Sequence, residues 1–202
     1  MTDDGGWDDF ADGWDDDPAA IAYAKAAFSS LELVLADRER TLDRAGVLDF
    51  GCGTGLLAEQ LVDRVAAIDA MDTSPAMLAV LRGKAERHGS ARPWANVRVL
   101  EALPTSGSYD LIVASSVCSF LDDYRGVVAH LASLLAAGGT FVQWDWEQDP
   151  TDDDSHGLTR EAVAEALTSA GLEMVTVDTA FEVRVGDAVM APIVGAGSKP
   201  PS

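Results

Sequence analysis

Apolar positions along the chain keep two rhythms that alternate from one end to the other. Short blocks of consecutive or alternating apolar residues occur at Val47-Leu48-Asp49-Phe50, 65–70 (VAAIDA), 97–100 (VRVL), 109–114 (YDLIVA), 140–146 (TFVQWDW), about 172–179 and 188–194. Each has the length and side-chain content of a buried strand. Between them run longer stretches rich in helix formers: 19–36, 56–63, 75–88, 124–136 and 159–170. In the first of these, Tyr23, Ala27, Leu31 and Val34 share one stripe. The punctuation agrees, with Pro18 at a first helical position, Ser74 as a cap before Pro75, Thr159 near a cap and Gly171 as a stop.

Strands alternating with helices predict an α/β fold, a single domain built on an open twisted sheet. The seven strands would be mostly parallel, with helices on both faces. No helix separates the last two strands, so they are expected to close one edge as a C-terminal antiparallel hairpin. The domain is expected over 19–198. Residues 1–18 precede it as an acidic, partly mobile segment in which Trp14 docks on the body, and 199–202 form a tail. The last stretch, GAGSKPPS, reads as a fraying end, and 147–158 as a polar rim loop.

Charge narrows the partners. The 202 residues include 34 acids against 14 Lys and Arg, a formal net charge of −20. Such a surface repels phosphate backbones and anionic lipid, which argues against nucleic acid and membrane partners. The acidity reads either as adaptation to a salt-rich interior or as that of an ordinary acidic protein. The start carries acids where a signal peptide needs a basic, apolar run, and no window of about 18 apolar residues is seen. A cytoplasmic protein is expected, as monomer or homodimer. Cys52 and Cys118 make neither a disulfide framework nor a metal cluster, and the three histidines have no ligand spacing, so no metal is expected.

The stretch VLDFGCGTG carries the chemistry. Gly51, Gly53 and Gly55 follow the first strand at once and allow a sharp turn with close ligand approach. The spacing is not GxGxxG, and no Lys follows the glycines, so neither a dinucleotide fingerprint nor a Walker loop is present. Asp49 would repel a pyrophosphate and attract a sulfonium or ammonium. Past the second strand, a carboxylate can accept hydrogen bonds from both hydroxyls of a ribose. Asp72 at the strand's mouth suits this better than Asp69 within the strand. Glu101 and Ala102, at the exit of the third strand, suit one edge of an adenine slot, with Ser115 and Ser116 as its floor.

With these residues in view, the chain resembles the class I S-adenosylmethionine-dependent methyltransferases. VLDFGCGTGLL looks like their first motif, MDTSPAML their second, YDLIVASSVCSFLDD the fourth-strand segment, LLAAGGTFV the approach to the fifth strand, and VGAGSKP the last strand. The resemblance spans about 20–198 and implies the seven-stranded Rossmann-like fold. It implies methyl transfer from S-adenosylmethionine, leaving S-adenosylhomocysteine, to a small-molecule acceptor. It puts Asp49 and the loop of Gly51, Cys52, Gly53 and Gly55 near the methionine end, Asp72 at the ribose, and Glu101 and Ala102 at the adenine, with Thr73 and Met77 also among the cofactor-binding residues. Glu101 stands where the family often has Asp, and Ala137 where it usually has Pro.

The acceptor side is less marked. Tyr23, Trp14, Cys118 and Trp146 are candidate pocket residues, and His156, Tyr23 and Glu147 candidate catalytic groups, with His156 the preferred base. A non-catalytic binder of the same cofactor, transfer of its aminocarboxypropyl group and an NAD-dependent oxidoreductase are the alternatives.

Overall fold

The structure, a computed structural model, describes residues 5–88, 94–148, 157–186 and 188–201. Its strands form a seven-stranded sheet in the order β3-β2-β1-β4-β5-β9-β6, with a separate two-stranded ribbon of β7 and β8. The ranges are β1 Gly46–Phe50, β2 Ala67–Met71, β3 Val97–Leu100, β4 Tyr109–Ser115, β5 Leu135–Asp145, β6 Glu173–Thr179, β7 Val183–Val185, β8 Ala188–Met190 and β9 Ile193–Ser198. The helices are α1 Gly5–Asp8, α2 Pro18–Asp37, α3 Leu56–Leu61, α4 Pro75–His88, α5 Tyr124–Leu134 and α6 Arg160–Ser169. The chain falls into two compact units, Met1–Pro104 and Thr105–Ser202.

In the first unit β1, β2 and β3 run parallel, with Leu48 opposite Asp69 and Ile68 opposite Val97. Val47, Leu48, Ile68 and Ala70 are all but fully buried, as expected of parallel strands covered on both faces. Asp17 caps α2 by accepting the Ala19 amide at 2.8 Å, and Pro18 takes the first helical position. Over its best 18 residues α2 has mean hydropathy 1.4, which by length and composition suffices to cross a membrane. That corrects the expectation that no such window exists. A third of that window is buried, including Tyr23, Ala27, Leu31 and Leu35, and the helix rests against α3.

The loop after β1 turns on left-handed glycines. Gly55 (φ +86°) is the residue before α3, and a Cβ there would lie 2.5 Å from Leu81 Cδ1 of α4. Gly55→Ala therefore meets both an unfavourable φ and an overpacked contact. We expect a loss of about 2 kcal/mol, read as a shifted midpoint in urea unfolding.

The second unit holds β4, β5, β9 and β6. β4 and β5 are parallel, and β9 pairs antiparallel with both β5 and β6. α6, capped by Thr159 through the Ala162 amide, packs on β6 and β9. Two expectations are corrected here. The strand foreseen at 188–194 is two elements: Val183–Val185 and Ala188–Met190 make the ribbon, and Ile193–Ser198 enters the main sheet. Of the expected fraying end, residues 195–198 are buried strand, held between two neighbours. Bare backbone explains the misreading, since a Cβ at Gly197 would lie 2.9 Å from Leu172 Cβ. The fifth strand also starts earlier than 140, with the glycine turn absorbed as a register shift between Tyr109 and Leu111.

Candidate functional site

Asp49 lies one residue before the end of β1 and is 1% exposed. Neither carboxylate oxygen has a hydrogen-bond partner among the described residues. Burial, with the charge of Asp72 adding to it, pushes its pKa up to about 7. An unpaired buried carboxylate is costly, and a cation brought near it recovers part of that cost. The glycine loop beside it is fastened from β2: the Gly51 and Cys52 amides donate to the Met71 carbonyl at 2.8 and 2.9 Å. Cys52 is buried, and burial beside the charges of Asp49 and Asp72 pushes its thiol well up, which disfavours the thiolate.

Asp72, half-buried at the mouth of β2, accepts the Gly53 amide at 2.8 Å on one oxygen and the Ser74 amide at 2.9 Å on the other. It thus joins the glycine loop to the turn that opens α4. Met77 is buried against this loop, its sulfur 3.9 Å from where a Gly53 Cβ would stand, and Thr73 is exposed beside them. Asp69 is engaged elsewhere: the Arg98 guanidinium donates to both of its oxygens, one at 2.8 Å, across the β2–β3 pair. That leaves Asp72 as the carboxylate at the loop. Glu101 points outward, its side chain 76% exposed and 2.6 Å from Arg82; Ala102 is exposed next to it.

Two residues that the sequence reading did not single out reach the glycine loop and the turn opening α4 from the N-terminal segment. Asp8 accepts the Ser74 hydroxyl, and Asp15 accepts the buried Thr54 hydroxyl between Gly53 and Gly55. Within the described part of that segment, Asp8 and Asp15 are thus tied to Ser74 and Thr54. Trp14 sits in it, half-buried, in edge contact with Trp7 and Phe10. Tyr23 belongs to the buried face of α2.

In the second unit, Ser115 and Ser116 are half-buried after β4, and Ser116 takes a left-handed φ of +54° while its amide donates to the Trp144 carbonyl at 2.7 Å. Cys118 is fully buried next to Asp145, and burial pushes its thiol well up. Asp145 is a further group missed from sequence. Wholly buried at the end of β5, it accepts the Ser119 amide and the Gln143 amide group, both at 3.0 Å, and burial raises it to about 7. Tyr124 donates to Gln143 at 2.8 Å, completing a polar chain under the loop after β4. Its signal in sequence was present: Gln143 and Asp145 alternate with buried Val142 and Trp144. Trp144 is core, and Trp146 is half-buried. Glu147 accepts both arms of Arg160, at 2.7 and 2.9 Å. That pair holds its carboxyl below the usual range, which makes it a weak base. His156 lies outside the described residues.

Known proteins are similar to this chain. The family described as a methyltransferase domain matches residues 48–141. A ubiquinone biosynthesis O-methyltransferase from Methylocella silvestris is 32% identical over 60% of this chain and 50% of its own. A trans-aconitate 2-methyltransferase from Methylobacterium nodulans is 37% identical over 63% of this chain and 48% of its own. The chain spans about half the length of these curated relatives. Among solved structures, an N-methyltransferase from Bradyrhizobium japonicum in complex with S-adenosylhomocysteine superposes with TM-score 0.69 at 20% identity, covering 93% of this chain and 90% of that one. A magnesium protoporphyrin IX methyltransferase from Synechocystis with bound S-adenosylmethionine gives 0.67 at 17% identity, covering 90% and 81%. These two likenesses establish the fold.

Proposed function

With residues 48–141 belonging to the methyltransferase-domain family, we propose that the protein transfers a methyl group from S-adenosylmethionine to a small-molecule acceptor. The observation that carries the reading is the unpaired, buried carboxylate of Asp49 beside a glycine loop, with Asp72 at the loop's edge. The donor set fits the cofactor. Asp49 offers uncompensated negative charge to its cationic methionine end, and Asp72 offers two oxygens to its ribose. Gly51, Gly53 and Gly55 leave room for the methionine part, with Cys52 in the loop between them. Thr73 and Met77 flank the ribose, and Glu101 and Ala102 lie toward the adenine.

The bound cofactor supplies an electrophilic methyl group. What this chain must do is hold an acceptor in line, keep water away and accept a proton where the acceptor carries one. Ser115 and Ser116 after β4 and Trp146 after β5 are the acceptor-side residues we assign, with Trp14 from the N-terminal part; Cys118 and Tyr23, expected there from sequence, are buried in the core. Among the bases, Glu147 is committed to Arg160, so His156 is the group we assign. His156→Ala is expected to lower turnover and shift its pH profile while leaving S-adenosylhomocysteine affinity unchanged. Unaltered turnover across pH would remove the assignment.

The relatives named above act on small molecules, as their names state, and the acidic surface also disfavours large anionic acceptors. The decisive experiment is calorimetric titration with S-adenosylmethionine and S-adenosylhomocysteine, followed by a metabolite screen scored by S-adenosylhomocysteine release. Micromolar, saturable binding is expected. Binding of NAD with no response to either adenosyl compound would end this reading.

A further inference from the structure

The N-terminal strap from Gly5 to Asp17 is tied at two separate points to the segments assigned to the cofactor. At the first, Asp8 Oδ1 accepts the Ser74 hydroxyl at 2.5 Å and the Ala76 amide at 3.3 Å. A carboxylate is favoured there, because the first amides of α4 lack partners within the helix and the helix dipole attracts negative charge. The Ser74 hydroxyl in turn accepts the Met77 amide at 3.1 Å, and the Ser74 amide donates to Asp72 at 2.9 Å. One run of hydrogen bonds therefore leads from the strap to the assigned ribose carboxylate.

At the second point the Thr54 hydroxyl donates to Asp15 Oδ1 at 2.7 Å. Thr54 is 1% exposed and lies inside the glycine loop, between Gly53 and Gly55. The other oxygen of Asp15 is 2.8 Å from the Lys84 ammonium, which faces Glu59 at the same distance. The Lys84 side chain is almost wholly buried, so these two carboxylates are its counter-charges, and the strap end is fixed by more than one bond. Around the two ties, Trp7, Phe10 and Trp14 pack together with ring centroids 6.0–6.5 Å apart. These tilted and edge contacts join Trp7 beside the first tie to Trp14 beside the second.

One tie holds the loop after β1 and the other the turn after β2, and ligands of open α/β sheets bind outside the carboxyl ends of the strands. We propose that Asp8 and Asp15 are positioning residues that latch the strap to both cofactor loops, so that release of the strap gates the exchange of S-adenosylhomocysteine for S-adenosylmethionine. This rests on the cofactor reading above. The latch acts on passage in both directions, which separates it from a residue that merely shapes the site. Loosening a gate speeds entry and exit together. Damage to a binding surface speeds exit alone.

The test is stopped-flow measurement of S-adenosylhomocysteine association and dissociation, followed by tryptophan fluorescence. Asp8→Ala removes the first tie. Thr54→Val removes the second while leaving Asp15 with Lys84. Each lost hydrogen bond is expected to raise the dissociation rate by about threefold to tenfold, and the double variant by more. The association rate should rise as well, so that affinity changes less than either rate. Unchanged rates in folded variants, or faster dissociation without faster association, would overturn the latch. Should Thr54→Val unfold the protein, Asp8→Ala carries the same comparison, being remote from the buried Lys84 cluster. A parent protein that binds no S-adenosylhomocysteine would remove the cofactor reading and the latch with it, whereas binding with unaltered kinetics in the variants removes the latch only.

Discussion

Asp49→Asn should make the ligand-free protein more stable at pH 8 and at the same time a poorer binder of S-adenosylmethionine. The carboxyl titrates near 7 in the folded protein and near 3.8 when exposed. Below about pH 4 the group is protonated in both states and costs nothing extra. Between about 4 and 7 the folded state keeps a proton that the unfolded chain has released, so stability falls as pH rises. Above 7 the penalty is complete, roughly 4 kcal/mol for a shift of about three units. Asn removes the charge but leaves a polar group without a partner, worth about 1–3 kcal/mol. The net gain is then about 2 kcal/mol, measured by urea unfolding at pH 8, and it should vanish near pH 5, where the charge penalty has fallen to about the cost of the unpaired amide. Asp145, also raised to about 7, adds a fall of the same sign that Asp49→Asn leaves untouched.

The binding half of that prediction has the opposite sign. Losing the carboxylate removes the attraction for a cationic ligand in a low-dielectric setting, an effect of about tenfold or more in affinity. S-adenosylmethionine carries one positive charge more than S-adenosylhomocysteine, so its affinity should drop further. Its binding in the parent should also weaken as pH falls below 7 and Asp49 takes up a proton. A variant that is neither more stable nor weaker in binding would show that Asp49 is paired in solution and holds no charge in reserve.

Much of this arrangement was legible in the sequence, for reasons that can be named. The first strand, the glycine loop and Asp72 are contiguous or nearly so, and their meaning depends on local backbone geometry. α4 begins at Pro75 because Ser74 caps it, a signal contained in four residues. The choice of Asp72 over Asp69 followed from counting positions along a strand; in the structure Asp69 pairs with Arg98 and Asp72 accepts the Gly53 and Ser74 amides. What escaped notice depends on contacts distant in sequence. Asp8 and Asp15 sit in a run of acids with nothing local to distinguish them, and their partners Ser74, Thr54 and Lys84 come tens of residues later. Asp145 looked like one polar position in an alternating strand, and only the turn at Ser119 gives it a task. The final strand was mistaken for a loose end because its glycines carry no hydrophobic signal, although they are what allows Leu172 to pack closely. The split of the expected strand at 188–194 has a similar origin: Pro192 sits between the ribbon and β9, and its carbonyl accepts the Ala180 amide.

Asp72→Ala is expected to have the largest effect on binding. The carboxylate now accepts two backbone amides, from Gly53 and Ser74, and is assigned the hydroxyls of the ribose. Hydrogen bonds to a charged group contribute about 1.5–3 kcal/mol each. Losing two sugar contacts therefore predicts a fall in S-adenosylhomocysteine affinity of about 10²–10³-fold or more. Freeing the two amides also loosens the loop, so a smaller loss of thermal stability should accompany it. Two controls separate the roles of the carboxylates. Asp69→Ala breaks an exposed pair with Arg98 and should leave affinity nearly unchanged. Methylthioadenosine keeps the ribose and adenine but lacks the amino-acid end. Asp72→Ala should weaken its binding as much as that of S-adenosylhomocysteine, and Asp49→Asn should leave it alone. If Asp72→Ala kept full affinity for both nucleosides while Asp69→Ala lost it, the sugar would belong to the other carboxylate, and the orientation assigned to the cofactor would have to be reversed along β2.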